Sequence, residues 1–324
     1  MKALVFEEPR SAAVRDVDVP AIGADEVLVR SRNVGICHSD FELYEGRYII
    51  PVSYPIIPGH EWSGEVADVG NAVTTLRPGD RVVGECVVND GDDHFGFSIS
   101  GADAEYFVAK ASWLHRIPDE LSFAQGAFVE PFSVAYGAAV AADGIDASDE
   151  VAVIGGGPIG LLCTLAAATM GGSVTLIEPQ GHRRAIGLAI GARHVVDPTA
   201  GPLAEQAAEV TRGRGFDVVI EAAGVPTAMA SAFPIAGLGA RVVLVGIDVG
   251  GTAPVEIGLV QSKALQVRGI IGSAGLWPRT IRFMATSGVD PLPLLTATFP
   301  LGEGTAALEA ARDTGRNVKV QIEC

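Results

Sequence analysis

A thiol, an imidazole and several carboxylates are gathered in two short stretches, Gly35-Ile36-Cys37-His38-Ser39-Asp40 and Gly59-His60-Glu61-Trp62-Ser63-Gly64-Glu65-Val66. Thiolate, imidazole and carboxylate are the ligand types that suit zinc, and a catalytic zinc takes three of them while a fourth position stays open. Either residue alone reads more plainly: a free cysteine is commonly a small core hydrophobe, and a lone histidine a hydrogen-bonded structural group. The two stretches lie apart in the chain, so the fold must bring them together. Asp40 is the natural partner for the second ring nitrogen of His60, because ligating histidines usually donate it to a carboxylate or a carbonyl. His38 is open between a relay or pyrophosphate contact and an ordinary surface position.

A second constellation lies downstream. Val151-Ala152-Val153-Ile154-Gly155-Gly156-Gly157-Pro158-Ile159-Gly160 supplies a strand, a turn and a helix start, with Gly155, Gly157 and Gly160 in G-x-G-x-x-G register. The first glycine permits a tight turn, the second lets backbone approach a pyrophosphate, and the third allows the helix to pack closely on the strand. Glu178 closes the next strand at about the ~20-residue offset expected of the carboxylate that accepts from the ribose hydroxyls. That carboxylate repels a 2′-phosphate, so NAD is favoured over NADP. Arg183 and Arg184 could instead pair with that phosphate, or Arg183 could stack on the adenine.

Around these motifs the chain changes texture. The first part holds short alternating runs (Lys2 to Phe6, Val27 to Arg32, Gly64 to Gly70, Ala104 to Ala109) broken by Pro and Gly turns such as Arg77-Pro78-Gly79-Asp80. This predicts a β-rich domain. From about Asp149, apolar strands alternate with Ala-rich helical stretches, which predicts a doubly wound parallel sheet. A final segment with a helix near Glu303 to Arg312 and a strand Val318 to Glu323 is expected to return to the first domain. The fold class is therefore α/β: a catalytic β-rich domain over residues 1–148 and 282–324, and a Rossmann domain over 149–281.

The chain has 324 residues and a formal net charge of −16, which opposes binding to nucleic acid. No apolar run approaches the ~20 residues that span a bilayer, and no secretory leader is evident, so a membrane partner is not expected. Cys37, Cys86, Cys163 and Cys324 are dispersed and form no C-x-x-C, which fits a reducing, cytoplasmic setting rather than a disulfide framework. Lysine is confined to Lys2, Lys110, Lys263 and Lys319, and carries no functional weight at this stage.

Taken together, G-I-C-H-S-D, G-H-E-x-x-G-x-V, the P-G-D-R-V of Pro78 to Val82 and G-G-G-P-I-G resemble the zinc-dependent medium-chain dehydrogenase/reductase superfamily over essentially the whole chain, with a GroES-like catalytic domain. Val129-Glu130-Pro131-Phe132-Ser133-Val134 is similar to the E-P-x-S-V segment of its sorbitol dehydrogenase branch, which places a carboxylate at the catalytic zinc. The resemblance implies Cys37 and His60 as ligands, with Glu61 and Glu130 competing or assisting. Only one carboxylate is expected to ligate at a time, because both together would make the centre anionic and blunt its Lewis acidity. It also implies Ser39 as the start of a proton relay, with Asp40 and Glu130 assisting catalysis. Gly155, Gly157, Pro158, Ile159, Gly160, Glu178, Arg183, Val245, Ile247 and Ser273 are the candidate cofactor contacts. A homodimer or homotetramer is implied, with Leu265 to Ile271 as a candidate edge strand.

Two departures stand out. No four-cysteine lobe follows Cys86, so one catalytic zinc and no structural zinc is expected. Asp90, Asp92, Asp93 and His94 read as a solvated acidic loop, with a cation site as the alternative. At Gly272 to Pro278, where sorbitol dehydrogenases present an Arg-Tyr pair, Ser273 and Ala274 offer neither cation nor phenol. A cyclitol or aminocyclitol thus joins the polyols as a candidate substrate. Phe41, Tyr44, Phe95, Phe97 and Trp277 are candidates for pocket walls or for core. The expected activity is reversible NAD-linked oxidation of a secondary alcohol in an interdomain cleft. The rivals are a non-catalytic NAD-binding scaffold and a zinc-independent enone or quinone reductase of the same fold.

Overall fold

The computed structural model describes residues 1–48, 50–248, 250–272 and 275–324. In chain order, the first unit begins with β1 (Lys2–Glu8), β2 (Ser11–Asp16), β3 (Glu26–Gly35), α1 (His38–Tyr44), β4 (Glu61–Val69), β5 (Arg81–Gly84), β6 (Val87–Val88), β7 (Asp93–His94), β8 (Tyr106–Lys110), β9 (Leu114–Arg116) and α2 (Phe123–Gly126). Then come α3 (Val129–Ala141), β10 (Glu150–Ile154), α4 (Pro158–Thr169), β11 (Ser173–Ile177), α5 (Gly181–Ala189), β12 (His194–Val196), α6 (Leu203–Thr211), β13 (Phe216–Glu221), α7 (Pro226–Ile235), β14 (Ala236–Leu244), α8 (Gly258–Ser262) and β15 (Gln266–Gly269). The chain ends with α9 (Trp277–Thr286), β16 (Leu295–Pro300), α10 (Gly304–Arg312) and β17 (Lys319–Glu323).

In the first unit a sheet runs β16-β17-β3-β4-β5-β9, with β8 on β3. Along β3, Val27, Val29, Ser31 and Asn33 are buried while the intervening residues are partly or fully exposed, the alternation of a strand with one face on a core. Trp62, Phe95 and Phe107 fill that core with tilted and edge-on ring contacts.

The second unit is a six-stranded sheet in the order β12-β11-β10-β13-β14-β15, parallel throughout. That is the doubly wound order, with the direction of winding reversing at β10 and β13. Its central strands are apolar without alternation because both faces are covered: Val151 to Val153 and Val218 to Ile220 are fully buried. β15 forms one edge, as the reading of Leu265 to Ile271 anticipates.

The units are Met1–Glu130 with Trp277–Ala285 and Leu295–Cys324, and Pro131–Leu276 with Thr286–Leu294. This division differs from the expected break after residue 148, because α3 packs with the second unit. Its face of Ala135, Ala138 and Ala139 is buried, and its carboxyl end is tied down by arginines of the sheet. Arg241 donates to the carbonyls of Ala142 and Gly144 at 2.8 and 2.9 Å, and Arg268 to that of Ala141 at 2.6 Å.

Candidate metal centre and nucleotide loop

Cys37 sits where β3 gives way to α1, as the residue that caps the helix. Its backbone N–H donates to Asp40 Oδ2 at 2.8 Å, so the G-I-C-H-S-D stretch is locked by its own carboxylate. His60 and Glu61 come from the start of β4, which pairs antiparallel with β3 in a register that sets Glu61 opposite Gly35. A Cβ on Gly35 would lie 2.4 Å from Glu61 Oε2, so the missing side chain makes room for the carboxylate. Gly59 turns the chain into His60 with φ +97°, where a Cβ would also meet the Asp103 backbone nitrogen at 2.8 Å.

These elements bring one ligand atom each from Cys37, His60 and Glu61 to within 4.8 Å of one another. Ligand atoms on a tetrahedral zinc are roughly 3.3 to 3.8 Å apart, given bonds of about 2.0 to 2.3 Å. Asp40 Oδ1 lies 3.3 Å from His60 Nδ1, an ion-pair contact off hydrogen-bond geometry. Burial opposes a charge on His60, but Asp40 and the Cys37 sulfur overcome it and raise its pKa well above the ordinary 6.5. The cluster therefore draws in a proton as a substitute for positive charge, and that demand fits a divalent cation.

Lys319, from β17, is buried with Glu61; its ammonium bonds Glu61 Oε2 and donates to the Ile36 carbonyl at 3.1 Å. Burial works against a charged lysine here, and Glu61 outweighs it, so the Lys319 pKa is raised. Glu130, at the start of α3, lies in the same field. Burial pushes its carboxyl up to about 7, with Glu61 and Asp40 adding to the shift and His60 and Lys319 opposing it. Glu130 is outside the tight group of three. Ser39 is half-buried on α1, and His38 points out, 87% exposed, 3.8 Å from Glu42.

The candidate wall aromatics divide. Phe95 belongs to the core beside Trp62, and Trp277 is buried against the His115 ring. Phe41 and Tyr44 carry the Arg312 guanidinium on their faces at 5.0 and 4.8 Å. Phe97 touches the candidate ligand group, its centroid 4.6 Å from the His60 ring, and Tyr48 stacks on it at 4.3 Å. Burial pushes the Tyr48 phenol up to about 12. The acidic loop is a small hairpin, β6 with β7, in which Asp93 accepts from Asn89 and Ser98 while Asp90 and Asp92 are exposed. Among the described residues no grouping of His, Cys, Asp and Glu suited to a metal arises there. Ser273 and Ala274 lie outside the described residues.

In the second unit, Gly155 follows β10 with φ +99°, where a Cβ would meet the Ala223 nitrogen at 2.8 Å. Gly160 packs so tightly that a Cβ would lie 1.8 Å from the Gly155 carbonyl oxygen. Gly157, which caps α4 ahead of Pro158 and Ile159, has nothing within 4 Å of its missing Cβ. The backbone there faces open space at a helix N-terminus, a cradle suited to a pyrophosphate. Glu178, buried at the end of β11, accepts from Gly156 N–H at 2.6 Å and from Gln180 N–H at 2.8 Å. Arg184 bonds Asp197 at 3.0 Å and backbone carbonyls; Arg183 lies beside it on α5. Val245 is buried and Ile247 exposed, with the Ile247 backbone against Gly224.

Several residues at these sites escaped the sequence. Lys319, to which the sequence alone assigns no function, is the counter-ion of Glu61. Glu221 accepts from the N–H groups of Ala223 and Gly224 at 2.8 and 3.0 Å and so holds the turn that abuts Gly155. The scarcity of lysine was the one available signal for the first. The acidic end of the apolar run Phe216 to Glu221 was the signal for the second.

Residues 23–119 match the family described as Alcohol dehydrogenase GroES-like domain, and residues 158–286 the one described as Zinc-binding dehydrogenase. The chain is similar to sorbitol dehydrogenase of Bacillus subtilis (strain 168), 32% identical with 96% of this chain and 93% of the relative covered. Among solved structures, one from Sinorhizobium meliloti 1021, described as a zinc-binding dehydrogenase bound to NADP, superposes with a TM-score of 0.93 at 30% identity, covering 100% of this chain and 99% of that one. The 2R,3R-butanediol dehydrogenase of Bacillus subtilis superposes with a TM-score of 0.91 at 29% identity, covering 100% and 99%.

Proposed function

Because the chain belongs to the zinc-dependent medium-chain dehydrogenase/reductase superfamily, in its polyol dehydrogenase branch, we propose that it is a zinc-dependent, NAD-linked dehydrogenase of secondary alcohols, with polyols, cyclitols or aminocyclitols as substrate class. Membership makes it an oxidoreductase acting on alcohols. The observation that carries the finer reading is the convergence of Cys37, His60 and Glu61 within 4.8 Å.

Cys37, His60 and Glu61 would hold the metal, and Asp40 would fix the His60 ring. Bound there, zinc supplies Lewis acidity toward the alcohol oxygen, and NAD accepts the hydride. Charge balance supports Glu61 as the ligand. A divalent ion and the Lys319 ammonium together offset the Cys37 thiolate and the Glu61 and Asp40 carboxylates, provided Glu130 is neutral, and its carboxyl titrates near 7. Glu130 is then poised to hold or release one proton at the rim of the centre. Ser39, half-buried on α1, is our candidate for receiving the alcohol proton. In the nucleotide unit the open face of Gly157 receives the pyrophosphate, and Glu178 is positioned for the ribose hydroxyls. Its carboxylate and the engaged Arg184 favour NAD, whereas the Sinorhizobium meliloti relative was solved with NADP.

The exposed edge β15, with Val267 and Ile271 out to solvent, is a fitting surface for a homodimer or homotetramer. No described helix is long and apolar enough to cross a membrane. The free thiols suit a reducing, cytoplasmic setting.

The test is metal analysis with a panel of polyols, cyclitols, aminocyclitols and simple secondary alcohols against NAD and NADP. About one zinc per chain and chelator-sensitive NADH formation are expected, and Cys37→Ser should lose both while keeping NADH affinity. Chelator-insensitive turnover of an enone or quinone would point to the zinc-independent reductase. Bound NAD without zinc or turnover would point to the scaffold. Parallel loss of metal and nucleotide in Cys37→Ser would refute separate sites.

A further inference from the structure

Tyr44, Tyr48 and Tyr54 lie along the stretch that leads from α1 towards His60, and they differ in what holds their hydroxyls. Tyr44 donates to the Arg10 carbonyl at 2.6 Å, and Tyr54 to the Leu43 carbonyl. The Tyr48 hydroxyl has no hydrogen-bond partner among the described residues, although the side chain is half-buried. The oxygen itself is not fully buried, so it is free to bond a partner from outside the protein.

Its location is well determined. The Tyr48 ring stacks on Phe97 at 4.3 Å and 7°, and Phe97, itself 1% exposed, packs on His60 at 4.6 Å. Phe97 therefore acts as a rigid spacer between the candidate metal ligand and the phenol. After burial, Cys86, His60, Cys37 and Asp40 are the groups that act on the Tyr48 hydroxyl, which puts it in the field of the candidate ligand cluster. An apolar wall with one polar tip beside a reacting centre suits a substrate that offers carbon to the ring face and a second oxygen to the tip.

We infer that Tyr48 is a substrate-positioning residue whose phenol hydrogen-bonds a second hydroxyl of the substrate, so that the site selects polyhydroxylated alcohols over simple secondary ones. This rests on the reading of the metal cluster as an alcohol-oxidising centre. A monohydric alcohol presents only its reacting oxygen and leaves the phenol unpaired, and sites built to bond a substrate hydroxyl discriminate against analogues that lack it.

Tyr48→Phe keeps the stack and removes only the hydroxyl. With sorbitol and 2,3-butanediol its kcat/KM should fall about tenfold, mainly through KM, while 2-butanol changes less than about twofold. Zinc content and NADH affinity should match the wild type. Sorbitol binding to the zinc-stripped, NADH-loaded protein, followed by saturation-transfer NMR, should weaken in the variant by a similar factor. Equal losses on diol and monohydric alcohol, or no loss on either, would overturn the assignment. If the wild type oxidises no alcohol, the function proposed above fails on its own account. The NMR titration then still decides Tyr48, because unchanged sorbitol binding in Tyr48→Phe would overturn its role.

Discussion

Lys319→Met tests the electrostatics of the centre most directly. The ammonium is buried against Glu61 Oε2 and among the described residues has only the Ile36 carbonyl as a second acceptor, so the substitution strands a carboxylate in the interior. Breaking a buried pair from one side typically costs about 3 to 5 kcal/mol. For a unit of this size each kcal/mol moves the transition by about 2 to 4 °C, which predicts a fall of roughly 6 to 20 °C in the metal-free protein. A divalent ion on Cys37, His60 and Glu61 would supply the missing positive charge, so the fall should shrink by at least half in zinc-loaded protein. Differential scanning calorimetry with chelator and with zinc measures both. Glu61→Gln removes the stranded charge, and the double variant should recover most of the loss in chelator. Equal losses in both forms, or no recovery in the double variant, would mean that Lys319 matters for packing rather than charge.

Two glycines of the nucleotide loop should separate stability from binding. Gly160→Ala must push a Cβ into the Gly155 carbonyl 1.8 Å away, so the unit should lose about 1 to 3 kcal/mol or more together with NADH affinity. Gly157→Ala meets nothing within 4 Å, so its urea midpoint should hold while NADH binding weakens at least about tenfold, and a matched loss of stability would refute the open cradle. Asp103 gives a pH dependence. Burial, reinforced by Asp40, holds its carboxyl well above the ordinary 3.8. The folded state therefore keeps a proton that the unfolded chain releases, and stability from this group is full below about pH 4 and drains away as pH rises through the raised value. Asp103→Asn cannot ionise, so its stability relative to wild type should climb across urea melts at about pH 4, 6 and 8, and a flat difference would refute the assignment.

How far the sequence reached depended on which forces were local. The parallel sheet was legible because strands buried on both faces are apolar without alternation, and Val151 to Ile154 and Val218 to Ile220 carry that mark unaided. The glycine loop was legible because each glycine answers a steric demand that the structure exhibits within the same few residues, at Gly155 and Gly160. The unit boundary was not. Ala-rich α3 announces a helix, but which unit it joins is decided by Arg241 and Arg268, far along the chain. The hairpin after Cys86 showed its acidic residues, while the fact that it drives Phe95 and Phe97 into the interior depends on partners from β4 and β8.

The choice between Glu61 and Glu130 turned on the same distinction. Both carboxylates follow plausible motifs, and composition cannot rank them. Our proposal ranks Glu61 first because the pairing of β3 with β4 puts it across from a residue without a side chain, and because Lys319, 258 residues away, makes a second buried negative charge tolerable at that point. At Glu130 burial has the largest influence, and it favours the protonated form, with His60 and Lys319 opposing it. Burial raises the Glu130 carboxyl to about 7 while Glu61 lies against the Lys319 ammonium, and in the function proposed above that difference would let Glu61 serve as the ligand and Glu130 as a proton donor or acceptor near neutral pH.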